Sequence, residues 1–225
     1  MKVQQLMWTL LLLLLGPAAC SPRLEGIKAK AEKGDAAAQY ELGQRYGSGD
    51  GVSKDAVEAV RWYRKAAEQG YATAEYDLGI CYENGEGVAK DAAEAVKWYR
   101  KAAEQGLGMA QCNLGACYDG GEGVAKDVAE AVKWYRKAAE QGIVNAQWNL
   151  GGCYRDGEGV ARDDVQAYKW FSLAASQGDE SAKRKLAMIA AKMTKEQIGE
   201  AQRLAREFKP LFDPAASRIS QPPKP

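Results

Sequence analysis

Cysteines, carboxylates and recurrent aromatic rings carry whatever chemistry this chain can do; it contains no histidine. Without imidazole, histidine-based acid–base catalysis and most zinc sites fall away. The thiols Cys81, Cys117 and Cys153 recur at an interval of 36 residues, with Cys112 as an extra. Packed helices stand about 8–10 Å apart, whereas a disulfide needs Cα atoms within about 7 Å, so the recurrent thiols should not bridge one another. Cys112 and Cys117 point about 140° apart on one helix. No C-x-x-C pair occurs, so no metal site is indicated, and buried apolar thiols are expected, with Ile189 at the same phase. No serine is followed three residues later by lysine; Ser181, followed by Ala182, Lys183 and Arg184, comes nearest. The acyl-enzyme pattern S-x-x-K is therefore missing. Asp50, Glu86, Glu122 and Glu158 form a periodic row, either a weak cation or partner site or a set of solvated loop tips. The G-x-G loops beside them lack the third glycine or G-K-[ST] of a phosphate cradle.

These residues are positioned by a repeat. AVKWYRKAAEQG occurs at 95–106 and again at 131–142, with close variants at 59–70 and 167–178. A fixed 36-residue period predicts stacked two-helix units forming one extended, all-α domain over 35–192. In the first helix of each unit, Ala38, Leu42 and Tyr46 recur at 74/78/82, 110/114/118 and 146/150/154, an apolar stripe at helical spacing. The glycine after each leucine (Gly43, Gly79, Gly115, Gly151) costs about 1 kcal/mol against alanine. Its recurrence implies a close helix–helix approach. A GxGVxxD loop follows, and its aspartate opens the second helix: Asp55 with Glu58, Asp91 with Glu94, Asp127 with Glu130 and Asp163 with Gln166 have capping-box spacing. Trp62, Trp98, Trp134 and Trp170 recur at one phase in that helix. They read as core rather than as a ligand platform, and truncation of Trp98 is expected to cost about 3–5 kcal/mol. Residues 22–34 and 193–210 read as capping helices, the latter opened by Thr194 and Gln197, and 211–225 as a disordered tail.

The combination A-x-x-x-L-G-x-x-Y, G-x-G-V-x-x-D and A-x-x-W-Y-x-x-A-A-x-x-G resembles the Sel1-like repeat, a relative of the tetratricopeptide repeat, over about residues 34–192. The resemblance implies a right-handed α/α solenoid of helix-turn-helix repeats with the first helices lining a concave face. It also implies non-enzymatic adaptor work holding protein complexes together. Some exported members have been labelled β-lactamases, but the nucleophile pattern is missing here.

The N-terminus carries Lys2, an apolar run from Leu6 to Leu15, then Gly16-Pro17-Ala18-Ala19-Cys20. The run is too short to span a bilayer and reads as a signal peptide over 1–19. Small residues before Cys20 resemble a bacterial lipobox, although Pro17 stands where leucine is usual, so ordinary cleavage is the alternative. Lipidation of Cys20 implies a periplasmic, membrane-anchored lipoprotein, with Ser21 similar to what outer-membrane members carry. Charge is balanced, with 31 basic and 30 acidic residues, so no nucleic-acid partner is indicated, and no cofactor is expected.

The repeats at 72–107 and 108–143 differ at ten positions, eight of them in the first thirteen residues. Either the first helix carries recognition or it is the less constrained element. Under the first reading, tetratricopeptide geometry points Tyr40, Tyr76, Cys112 and Trp148 into the groove. Gln44 and Ile80 form the next row, Thr73, Met109 and Asn145 sit above, and Arg155 lies near the rim. Tyr, Trp and Arg are enriched at binding hot spots. A protein partner in the envelope is the first expectation. Peptidoglycan or another glycan stacking on Tyr40, Tyr76 and Trp148 is the alternative.

Overall fold

The computed structural model describes residues 22–211. Among them are eleven helices, α1 (Pro22–Glu32), α2 (Ala36–Ser48), α3 (Ala56–Glu68), α4 (Ala72–Asn84), α5 (Ala92–Glu104), α6 (Gly108–Gly120), α7 (Val128–Glu140), α8 (Val144–Asp156), α9 (Asp164–Ser176), α10 (Glu180–Ala190) and α11 (Lys195–Glu207), and no strand. No helix among these residues is long and apolar enough to cross a membrane. The signal segment, Cys20 and the tail from 212 onward lie outside the described residues. The chain divides into two compact units between Lys90 and Asp91. The first holds α1–α4, the second α5–α11.

In the first unit α1 packs on α2, and α2, α3 and α4 pack in succession. Leu24, Ile27, Ala31, Leu42 and Trp62 form one buried cluster. In the second unit α6/α7 and α8/α9 are the hairpins, and α11 packs across α9. Ala131, Tyr135, Leu150 and Trp170 fill its centre. Burying such faces is the main drive for helices this short.

The hairpins close by a repeated device. The N-cap aspartate donates its own N–H to a tyrosine carbonyl of the first helix, as Asp55 does to Tyr46 and Asp127 to Tyr118, both at 2.9 Å. Its side chain then accepts from the first turn of the second helix. The reciprocal half of the expected capping box forms only at Thr194–Gln197 among the described helix starts. Glu58, Glu94 and Glu130 pair instead with Arg61, Lys97 and Lys133 one turn on, because a cation is there to compete for the carboxylate.

The interior glycines meet aromatic rings. A Cβ on Gly43 would lie 2.6 Å from the Tyr63 ring, on Gly115 2.8 Å from Tyr135, and on Gly151 3.0 Å from Phe171. The second glycine of the GxG loop has a different role. At Gly123 φ is +69°, and a Cβ there would stand 2.1 Å from the Ala92 carbonyl oxygen. Gly87 meets Ala56 in the same way, at 2.0 Å. Each such loop therefore presses on the start of the second helix one repeat earlier.

Between repeats runs a ladder of glutamines. Buried Gln39, Gln111 and Gln147 each donate to a carbonyl of the preceding repeat, at Ala31, Ala103 and Ala139. Their own oxygens accept from Gln69, Gln141 and Gln177. A buried amide is stable only when satisfied in this way. Glu75 stands at the ladder phase in α4 and is also buried.

Candidate functional site

The conserved-phase residues are consumed by packing, so exposed chemistry must come from first-helix residues that change between repeats. Among the cavities of the described residues, two solvent-open ones are lined by such residues, one in each unit.

The cavity of the first unit holds about 500 Å³, between α2, α3 and α4. Ala56, Ala59, Tyr63, Ile80 and Cys81 give apolar walls, and Gln44, Asp77, Lys54 and Glu86 supply the polar lining. Asp77 Oδ2 accepts from the Tyr40 hydroxyl at 2.9 Å, and that hydroxyl accepts from Gln44 Nε2 at 2.8 Å. Tyr40 is fixed by rings on two sides, with centroids 5.8 Å from Tyr63 and 5.2 Å from Tyr71. Burial, then the Asp77 charge, push the Tyr40 and Tyr63 hydroxyls well above the usual phenol range, so both stay protonated donors. Burial also raises the Asp77 carboxyl, with the Tyr40 bond pulling the other way.

The cavity of the second unit holds about 320 Å³. Three first helices line it, through Cys112, Asn113 and Ala116 of α6, Asn145, Trp148 and Asn149 of α8, and Ser181 of α10 with its N-cap Asp179. Asp179 is already engaged, accepting from the Ala182 N–H at 2.7 Å. The Trp148 ring is half-buried and meets Phe171 edge-on at 6.5 Å. Its indole N–H is buried without a partner, so only the ring is available for contact.

The structure sorts the residues read from the sequence. Gln44 and Ile80 line the first cavity, with Tyr40 bonded to its Asp77. Asn145 and Trp148 line the second. Met109 is exposed, while Thr73 and Tyr76 are half-buried and border neither cavity. Cys112 is a correction: it packs into the core with Tyr135 and Leu150 and forms floor rather than contact surface. Arg155 is partly exposed, with its guanidinium held by the carboxylate of the adjacent Asp156 through two hydrogen bonds. Cys81, Cys112, Cys117 and Cys153 are buried, and burial pushes the thiols of Cys81, Cys112 and Cys153 up to about 11. Such thiols are poor nucleophiles.

The tryptophans need a finer account than a uniform core. Trp62 and Trp170 are buried, but Trp98 and Trp134 are half-exposed. Lys65, Lys101 and Lys137 lie over Trp62, Trp98 and Trp134 at 3.8–4.0 Å from the ring centroids. A lysine one turn on thus covers the outer ring face.

Asp77, Asn113 and Asn149 were missed by the sequence reading. They share one phase with Glu41, and the signal was the change of charge at that phase.

The family model described as "Sel1 repeat" matches residues 36–71, 72–107, 108–143 and 144–179. The chain is similar to a crystal structure of c5321, described as a protective antigen of uropathogenic Escherichia coli strains displaying an SLR fold. The identity is 47% and the TM-score 0.74, covering 81% of this chain and 40% of that one. A Sel1 repeat protein from Oxalobacter formigenes aligns at 39% identity and a TM-score of 0.66, covering 80% of this chain and 72% of that one. The secretory immunoglobulin A-binding protein EsiB of Escherichia coli O6:H1 is 53% identical over 50 residues, 22% of this chain and 10% of its own length. The chain therefore spans only a small part of EsiB and less than half of c5321. Sel1 repeats generally mediate protein–protein binding. With its helical hairpins in the same register as four adjoining matches, the chain belongs to the Sel1 repeat family and has that family's all-α solenoid fold.

Proposed function

We propose that this protein is a non-enzymatic interaction scaffold of the bacterial cell envelope, exported by its N-terminal segment, anchored through an acylated Cys20, and holding a protein partner against the first helices of its repeats. The observation that carries the reading is the location of the two cavities. Both are lined by first-helix residues that differ between repeats, joined in the first cavity by Ala56, Ala59 and Tyr63 of the second helix, while the repeated glutamines are engaged in packing. Half-buried aromatic rings beside exposed polar groups are the usual make-up of a binding hot spot. EsiB, whose name states that it binds secretory immunoglobulin A, is a precedent for a protein ligand on a Sel1 repeat protein. Its ligand is not transferred to this chain.

The test is site-specific photocrosslinking of the full chain in its native envelope. A photoreactive residue at Met109 or Asn145 on the first helices should give a discrete protein adduct. The same residue at Lys133, exposed on the second helix α7, should give none. Adducts at Lys133 alone, or adducts only with cell-wall glycan, would overturn the reading. Fractionation checks the anchor: Cys20→Ala should release the protein from membranes into the soluble periplasm.

A further inference from the structure

The first-unit cavity contains an anion that the fold does not neutralise. Asp77 is largely withdrawn from water on α4, and its carboxylate receives one hydrogen bond, from Tyr40. Among the described residues, no lysine or arginine nitrogen comes within ion-pair distance of it. The other charges lining the cavity are Lys54 and Glu86 on its two loops, both exposed to water. They offset one another and leave the Asp77 charge uncompensated. A partly buried carboxylate without a cation is costly, and the repeat does not require it. Asn113 and Asn149 stand at the same phase in the second unit, lining a cavity whose one carboxylate, Asp179, is engaged as the α10 N-cap.

The walls fit a particular occupant. A basic side chain needs an apolar sleeve for its methylenes and an anion at the end. Ala56, Ala59 and Ile80 with the Tyr63 ring supply the sleeve, and Asp77 the anion. The Gln44–Tyr40–Asp77 hydrogen-bond chain fixes the carboxylate in place before anything binds. At about 500 Å³ the cavity is in the range that admits a single large side chain with its backbone.

We propose that this cavity is the recognition point for one lysine or arginine side chain of the protein partner, with Asp77 as its counter-ion. This rests on the scaffold reading and adds the chemistry of what is recognised. An ion pair removed from water at the centre of an interface contributes to partner discrimination more than an exposed pair does.

The test uses the ¹⁵N-labelled full chain titrated with Nα-acetyl-arginine amide, Nα-acetyl-lysine amide and the neutral Nα-acetyl-norleucine amide, each to about 20 mM, since millimolar binding suffices for detection. The two cationic probes should give saturable shifts at the amides of Gln44, Gly47 and Ile80, and the norleucine probe should not. Asp77→Asn, a residue the chain itself uses at this phase, should weaken the cationic probes at least about tenfold without unfolding the protein. Absence of saturable shifts in the parent, equal shifts in Asp77→Asn, or shifts with calcium chloride but not with the amides would each overturn the assignment. Crosslinking separates this from the wider reading. If the envelope adduct at Met109 forms equally in parent and Asp77→Asn, and the cationic probes fail, the cation site is wrong while the scaffold stands. Loss of the adduct in Asp77→Asn, with binding of the probes, supports both.

Discussion

The two cavities are built from the same repeat and present opposite chemistry. In the first unit a tyrosine hydroxyl holds a carboxylate over apolar walls. In the second, Cys112 replaces the tyrosine, Asn149 replaces the aspartate, and Trp148 lines a space with three asparagines and an Asp179 already engaged as a helix cap. The frame around both is shared: the glycine against an aromatic ring, the loop glycine against the preceding helix start, and the glutamine pair. The chemistry of the cavity linings has thus been varied at single positions without disturbing the parts that make one repeat fit the next.

Two loop substitutions test whether the frame is common to both units. Gly87→Ala and Gly123→Ala each place a methyl group against a carbonyl oxygen at positive φ, and each should cost about 2–4 kcal/mol, measured by urea denaturation. A tolerated substitution in one unit would mean that its loops are not held as tightly as the other's. Next come the tryptophans. Trp62→Ala and Trp170→Ala should cost about 3–5 kcal/mol. Trp98→Ala and Trp134→Ala should cost roughly half that, because their rings are partly exposed under a lysine. Equal losses at all four sites would restore the uniform-core picture.

The smallest effect sharpens the difference between the cavities. Asp77→Asn should raise the midpoint of thermal unfolding by about 1–3 °C at pH 7, and Asn113→Asp should lower it. The sign follows from proton linkage. Burial raises the Asp77 carboxyl above its unfolded value, so the folded state holds its proton to higher pH. Its contribution is most favourable below the ordinary carboxylate range and is lost as pH rises through the folded value. The advantage of Asp77→Asn should accordingly vanish in acid and open above the carboxylate range, read from unfolding midpoints across pH.

Much of the frame was legible because a period of 36 residues fixes phase. Helix ends could be read from aspartate and glycine, and the glycine after each leucine announced a close approach that Tyr63, Tyr135 and Phe171 now account for. The reading failed where a side chain had two plausible partners. Glu58, Glu94 and Glu130 had capping-box spacing but also a cation one turn on, and spacing alone does not choose. The glutamine ladder was visible as Gln39, Gln111 and Gln147 at one phase and Gln69, Gln141 and Gln177 at another. Glutamine reads as surface by composition, so the pairing went unnoticed. The first cavity was half anticipated through Tyr40, Gln44 and Ile80. Asp77 escaped because one residue of helical rotation, about 100°, separates a groove position from a solvent-facing one, and tetratricopeptide geometry was too coarse to resolve it.

The glutamine ladder has a consequence for how such a chain lengthens or shortens through descent. Each rung joins Gln111 or Gln147 to the alanine carbonyl one repeat back and to a glutamine of its own repeat. Excision of α6 and α7 between the identical stretches at 95–106 and 131–142 would offer Gln147 the Ala103 carbonyl in place of Ala139. Unequal recombination between those stretches could therefore add or delete a whole brick with every amide still matched, so copy number can drift while the joints stay sound.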